Sequence, residues 1–264
     1  MSLVTIIIPY KNNLKYLFLT LESVFFQTFK KFKILIIYDD EDRSDLSYIK
    51  KFISKKKMKQ KISIKIIVNK KNLGVGESRN IGIKFSKSKY IAFLDSDDVW
   101  HKNKLKLQLN FMNKYRIPIS HTSYNIINEF GKKLSLRKSE KILSFKDILN
   151  SCDIGLSTVM IDLKFLKNNN LKFPKIKTKE DYVLWLKILK KISYIRGLNK
   201  NLTNYRRRKN SLSSNSILNI VNGFRVYKDY MKMGYFESFY RLLILSLNYL
   251  RKKFIYDFMY NNKL

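Results

Sequence analysis

Cysteine occurs once in the 264 residues, at Cys152, and histidine twice, at His101 and His121. A single thiol excludes an internal disulfide framework and fits a reducing compartment, where it reads as a small buried hydrophobe. The two histidines lack metal-ligand spacing and read as packing or surface residues. Three prolines and eight glycines leave little material for low-complexity segments. Acids are scarce as well: 20 Asp and Glu stand against 54 Lys and Arg, a formal charge of +34. No apolar run is long enough to span a bilayer, because the longest, residues 242–250, is interrupted by Ser246 and Asn248. No signal peptide is expected, since the chain passes from Met1 straight into a strand.

Apolar residues are plentiful. They make up 45% of the chain, with 14% aromatics, enough for a real core and against general disorder. The positive charge says nothing about fold but favours anionic partners, whether nucleic acid, a membrane surface or phosphorylated substrates. A genome biased toward lysine, asparagine and isoleucine codons is a blander source of the same charge. Lysine runs such as Lys55, Lys56 and Lys57 belong on solvated faces.

Periodicity orders the first half. Residues 3–10 read as a strand, followed by a helix capped by Asn12 or Asn13, with Leu14, Leu17, Phe18, Leu21 and Val24 on its apolar face. Residues 34–38 form a second buried strand, and Leu46, Ile49 and Phe52 the next helical face. Ile62, Ile64, Ile66 and Val68 alternate as in a third strand. Gly74 and Gly76 loosen the turn into a helix carrying Ile81 and Phe85, and YIAFL (residues 90–94) is a fourth buried strand. Strand and helix alternating to residue 115 argue for a parallel sheet with right-handed crossovers. From Pro118 the order is mixed: residues 119–128 and 156–161 read as strands, 145–150 and 180–191 as helices. Beyond Asn215 the pattern is helical, with Phe236, Tyr240, Leu243, Leu247, Leu250, Phe254 and Phe258 at spacings of three and four and Arg241, Arg251, Lys252 and Lys253 among them. That basic amphipathic segment suits a membrane surface or packing on the preceding domain.

The chemistry concentrates after the fourth strand, where Asp95, Asp97 and Asp98 follow directly. Open α/β sheets bind ligands at the carboxyl ends of their strands. In an extended chain Asp95 and Asp97 project the same way, a pairing that suits a hard divalent cation bridging substrate phosphates. The plainer alternative is a solvated acidic turn, with Asp98 capping a helix that begins near Asn103. Thr178-Lys179-Glu180-Asp181 ahead of an apolar run is a helix-start signature. A helix N-terminus favours the ionised form of Asp181.

Taken together, these motifs resemble the family 2 glycosyltransferases. VTIIIPYKNN (4–13), SVFFQTF (23–29), ILIIYDD (34–40), NLGVGESRNIG (72–82) and FLDSDDVW (93–100) are similar to the donor half of that family, and STVMI (157–161), KEDYVLWLKIL (179–189) and YRRRKNSLSSN (205–215) to its acceptor half. The usual Asp-Asp-Gly-Ser after the second strand reads Tyr38-Asp39-Asp40-Glu41 here, with Asp39 the natural match.

The resemblance implies an α/β, GT-A fold, a mostly parallel Rossmann-like sheet flanked by helices, over residues 1–215. Residues 1–115 would be the nucleotide-sugar half, 116–215 the acceptor half and 216–264 a helical extension. It also implies an inverting transfer from a nucleotide sugar, UDP-linked, to a glycan or lipid-linked acceptor in bacterial surface-polysaccharide synthesis. Pro9 and Tyr10 would line the nucleoside, Asp39 would accept the uracil imide hydrogen, and Asn72, Arg79 and Asn80 would lie near the nucleotide. Asp97 would ligate Mn²⁺ or Mg²⁺ directly, and Asp95 would meet the ribose or the metal through water. Arg206 and Arg208, with Arg207 and Ser211, would form a basic loop over the diphosphate. Asp181 would be the general base, with Glu180 as its alternative, and Trp185 belongs to the core rather than to a sugar platform. The expected location is cytoplasmic, on the inner face of the membrane. Two other classes fit parts of the chain. A basic nucleic-acid-binding protein explains the charge, but no such motif is present. A nucleotidyltransferase shares the metal and nucleotide logic, but IPYKNN lacks a glycine-rich phosphate loop.

Overall fold

The computed structural model describes residues 2–57, 62–208 and 216–261. Apolar runs of four to seven residues close a central parallel sheet: β1 (Val4–Tyr10), β2 (Phe32–Tyr38), β3 (Ser63–Val68) and β4 (Tyr90–Phe93). The order is β3-β2-β1-β4, and every pairing among them is parallel. β1 is buried on both faces, as a strand sandwiched between helical layers must be. The crossovers are α1 (Leu14–Phe25), α2 (Ser44–Lys57) and α3 (Val75–Phe85). The expected faces of α1 and α2 enter the core beneath β1 and β2. Asn13 takes the N-cap position of α1, but its side chain makes no capping bond.

Beyond β4 the sheet continues as β9-β6-β10-β5. Here β5 is Val99–Trp100, β6 Ile119–Ile127, β9 Met160–Asp162 and β10 Tyr194–Arg206. β9 runs antiparallel to β4 and β6, whereas β10 lies parallel to β6. The two sequence halves therefore share one sheet of ten strands among the described residues, with β7 (Lys133–Arg137) and β8 (Ile142–Ser144) at its margin. The helices of this half are α4 (Lys104–Tyr115), α5 (Phe145–Asn150), α6 (Leu163–Asn168) and α7 (Glu180–Leu189).

Three local expectations change. Residues 156–161 are not one strand: Leu156–Thr158 form a 3₁₀ turn before β9. The Thr158 hydroxyl donates to Gly155 O, and this local bond competes with the ladder. Phe85 is left 46% exposed at the end of α3, with Lys65 over its ring, while Ile83 takes the core position. Thr178 does not cap α7. Lys179 occupies the N-cap with φ 69°, and Asn222 donates to the Thr178 hydroxyl instead.

The C-terminal segment is helical, as expected: α8 (Ser216–Arg225), a π turn at Val226–Tyr230 and α9 (Tyr235–Asn261). It is fused to the core. Val226, Tyr227, Met231, Leu242 and Leu245 pack in the same cluster as Tyr182, Val183 and Trp185 of α7. The Tyr182 and Tyr227 hydroxyls meet at 2.9 Å.

The approach of α3 to β1 depends on Gly82. A Cβ there would lie 2.4 Å from Ile7 Cγ2 in the centre of the sheet. Overpacking a core in this way costs about 1–3 kcal/mol. Gly82→Ala should lower the unfolding free energy extrapolated from urea by about that amount, with the midpoint falling in proportion, and an unchanged midpoint would contradict the packing described here.

Candidate functional site

The strand order reverses between β1 and β4, and ligands of open α/β sheets collect at the carboxyl side of such a switch point. Pro9 and Tyr10 end β1, Asp39 follows β2, and Asp95, Asp97 and Asp98 follow β4. β4 pairs with β1 only as far as Ile7, so Pro9 and Tyr10 run past the end of β4.

The acidic turn is held by the rest of the protein. Asp95 N donates to the Ser157 hydroxyl at 3.0 Å, and Ser157 O accepts from the Trp100 indole at 2.7 Å. Asp98 is fully buried and accepts from Arg206 N at 2.8 Å. It therefore ties the acidic turn to the end of β10 and does not cap α4, which corrects the expected capping role. Burial first, and then Asp97, push its pKa well up. Asp97 is half-buried, with Oδ2 2.7 Å from Arg208 Nε. Burial and then the neighbouring Asp95 raise its pKa too.

Arg79 links the acidic turn to the other half of the molecule. It leaves α3 fully buried, with Nη2 2.7 Å from Asp95 Oδ1 and Nη1 paired with Glu180 Oε1. Burial works against its charge, but Asp95 and Glu180 outweigh burial and raise its pKa. Its near neighbours are thus two acids, one from each half of the chain. Close approach is possible because Gly76, at the start of α3, lies against Pro174 O and the Glu180 side chain.

Asp181, next to Glu180, is half-buried and accepts from Tyr182 N at 2.7 Å. Burial is the largest influence on it and Glu180 the second, and together they push its pKa up to about 7. This reverses the sense expected from a helix N-terminus: desolvation outweighs the local dipole. A carboxylate poised near neutrality is suited to taking a proton. Glu180 is committed to Arg79, whereas no basic side chain is bonded to Asp181 among the contacts seen.

The remaining expected nucleotide contacts are distributed unevenly. Asp39 accepts from Asn69 Nδ2 (2.7 Å), Leu73 N (2.8 Å) and Gly74 N (2.8 Å). A carboxylate has about four acceptor sites, so three bonds leave room for one more donor. Tyr10 is buried, its ring 5.1 Å from that of Tyr38 and its hydroxyl paired with Asp45, so its side chain packs inside the protein and does not line an open face as expected. Asn72 is exposed and accepts from Gly74 N. Asn80 bonds the backbone of Phe173 in both directions, at 3.0 Å each, which fastens α3 to the segment before α7.

Arg206 and Arg208 do reach the acidic turn, but with different jobs. Arg206 is buried, donating to Asp97 O, Asn128 O and Glu129 O, and braces the backbone. That geometry corrects its expected place in a loop over the diphosphate, because the side chain is buried with its Nε and Nη1 donors bonded to carbonyls. Arg208 is half-exposed and meets the Asp97 carboxylate itself. Ser211, expected beside them, lies outside the described residues. Trp185 is fully buried in the core, as expected, and so is His121, whose burial lowers its pKa to about 4.

Several participants gave no sequence signal. Tyr16 stacks beneath both arginines, 4.8 Å from Arg206 and 5.7 Å from Arg208. Ser157 bonds both Asp95 N and the Trp100 indole, and Asn69 donates to Asp39 and to the Ser78 hydroxyl. Lys104 lies fully buried, its ammonium 3.8 Å from the Trp100 ring centre. A lysine directly after an exposed-looking asparagine reads as helix surface, and only its place four residues after Trp100 hinted otherwise.

Comparison with known proteins agrees with this geometry. The family model for glycosyl transferase family 2 matches residues 5–172. The UDP-Glc:alpha-D-GlcNAc-diphosphoundecaprenol beta-1,3-glucosyltransferase WfgD of Escherichia coli is 30% identical over 266 residues, covering 99% of this chain and 98% of its own. A second Escherichia coli enzyme named for the same activity, WfaP, is 36% identical, covering 86% of each chain. An uncharacterized glycosyltransferase of Rickettsia felis is 40% identical over 77% of this chain, which spans only 33% of that protein's length. Among solved structures, S. aureus TarS in complex with UDP-GlcNAc superposes with a TM-score of 0.71 at 22% identity, covering 92% of this chain and 70% of that one, which establishes the shared GT-A-like fold. The matched motifs, the fold and the relatives agree: the chain belongs to glycosyl transferase family 2.

Proposed function

We propose that the enzyme moves a sugar from a UDP-sugar to a lipid-linked acceptor at the inner face of a cytoplasmic membrane, by one inverting displacement. The observation that carries this reading is Asp181, a half-buried carboxylate with a pKa near 7 that is tied through Glu180 and Arg79 to the acidic turn. Two relatives with names specifying UDP-Glc and a diphosphoundecaprenol acceptor support the choice of substrates. Family membership weighs against the nucleotidyltransferase and nucleic-acid alternatives. No described helix is long and apolar enough to cross a membrane.

In this reading Asp39 accepts the uracil imide hydrogen with its remaining lone pair. Asp181 takes the proton of the acceptor hydroxyl as that oxygen bonds the anomeric carbon. The bond from that carbon to the donor diphosphate breaks, and its electron pair leaves with the diphosphate. Arg79 holds the two halves in register, and Arg208 lies close enough to the acidic turn to meet negative charge growing there.

Among the described residues no three Asp, Glu, His or Cys side chains gather as a metal site. Asp95 and Asp97 still fit a shared ion: burial and mutual repulsion make Asp97 costly to ionise, which a cation relieves. Mn²⁺ or Mg²⁺ commonly takes one or two carboxylates and completes its shell with substrate phosphates. The ion would supply Lewis-acid stabilisation of the leaving diphosphate.

The test is a thermal-shift titration with UDP, with and without Mn²⁺. A ligand at a hundred times its dissociation constant stabilises by about 2.7 kcal/mol. The Mn²⁺-dependent part of that shift should vanish in Asp97→Asn, while the unliganded melting temperature stays near wild type. An Asp97→Asn protein that keeps the full Mn²⁺-dependent shift would exclude the assignment.

A further inference from the structure

The expected apolar stripe of α9 is the face that does not pack. Phe236, Tyr240, Leu243, Leu247, Leu250 and Phe254 are all exposed, Phe236 to 94%. At 3.6 residues per turn they fall on one line along the helix, about 27 Å from first to last. The opposite face, with Ser238, Leu242 and Leu245, is buried against the domain. Polar tethers reinforce it: Asn248 Nδ2 donates to Asn150 O (3.0 Å), and Lys252 pairs with Asp153 (2.5 Å). α8 repeats the arrangement on a smaller scale. Its Asn222 and Gly223 face inward, with Gly223 close against Leu242, and Ile217, Ile220 and Val221 face out.

An exposed apolar surface of this extent marks a place of contact. Its surroundings identify the partner. The chain carries +34 net charge, Arg251 and Lys232 are exposed at either end of the α9 face, and Lys228 covers the Tyr235 ring at 4.0 Å. Aromatic and aliphatic side chains in a basic frame match an anionic bilayer, in which the rings enter the headgroup region and the cations meet lipid phosphates.

We infer that the outward faces of α8 and α9 are the surface on which this enzyme docks to an anionic membrane. The same segment braces the helix of the general base: Asn222 holds Thr178, and Tyr227 meets Tyr182. Docking here fixes the orientation of α7 relative to the bilayer and so presents a lipid-linked acceptor to Asp181. The inference rests on the lipid-acceptor reading above.

The test uses the full-length protein with vesicles of phosphatidylglycerol and phosphatidylcholine, against phosphatidylcholine alone. Wild type should sediment with the anionic vesicles and be partly released by salt. The double variant Phe236→Asp/Leu247→Asp changes only exposed positions and should weaken vesicle binding by about tenfold or more. Arg251→Glu should weaken binding to anionic vesicles alone. Turnover of a water-soluble, short-chain acceptor should remain at the wild-type level in both variants. Wild-type vesicle binding by the double variant, or no binding by any form, would overturn the inference. So would a solution dimer that the double variant dissociates without vesicle binding, since a second copy would then own the face. Failure of the functional reading itself would appear differently, as absent turnover on soluble and membrane-bound acceptors alike.

Discussion

Asp181→Asn should reduce turnover by a factor of about 10²–10⁴, the usual contribution of a positioned base to proton transfer. Nucleotide affinity should scarcely change, because the substitution removes only the proton acceptor. In the wild type, kcat/KM should rise about tenfold per pH unit below 7 and level off above it, following ionisation of a carboxylate whose pKa is pushed up to about 7. The stability consequence has the opposite sense. A raised folded-state pKa means that the ionised form is harder to hold in the folded protein than in the unfolded chain. That penalty is absent below the unfolded value of 3.8 and is fully present above about 7. Asparagine removes it, so the variant should be at least as stable as wild type at neutral pH, and lost activity cannot be attributed to unfolding. The product should carry the anomeric configuration opposite to the donor's. A retained configuration, or a variant within a few-fold of wild-type turnover, would end the single-displacement mechanism.

Arg79→Met should cost about 3–5 kcal/mol of folding free energy, the range for removing one partner of a buried ion pair. Asp95 and Glu180 would be left near each other with their shared cation gone. The variant also tests the coupling across the site. Arg79 is among the influences that lower the pKa of Asp181, after burial and Glu180 have raised it. Its loss should therefore move the acid limb of the rate profile above 7. Arg79→Lys keeps the charge without the two-pronged donor geometry, and should recover part of the stability and most of the pH shift. Urea unfolding and pH–rate profiles read the two effects separately. A loss under 1 kcal/mol with an unmoved limb would show that Arg79 does not join the two halves energetically.

Much of the first half was legible in the chain. Period-two and period-3.6 patterns located β1 to β4 and their crossover helices, since burial on a sheet or helix face constrains residue type directly. The acids after β4 were likewise placed by a local rule, because strand ends face the ligand side in such sheets. The second half was read less completely. β5, β7, β8 and β10 gave no clear pattern, and β10, Tyr194–Arg206, alternates poorly because Asn199, Lys200 and Asn201 cross a register shift against β6.

The sequence by itself determined the family, the parallel sheet of the first half, the acids of the turn, the candidate base and the amphipathic character of the C-terminal helix. Each of these rests on neighbours in the chain or on a fixed period. Tertiary structure alone decided what those residues face. It put Arg79 between Asp95 and Glu180, across 16 and 101 positions of sequence. It buried Asp98 and Arg206 as struts, raised Asp181 toward neutrality, and turned the apolar stripe of α9 outward while the other face of the helix packed. Charge pairing and desolvation act through space at a few ångströms, and periodicity carries no information about which distant segment will supply the partner.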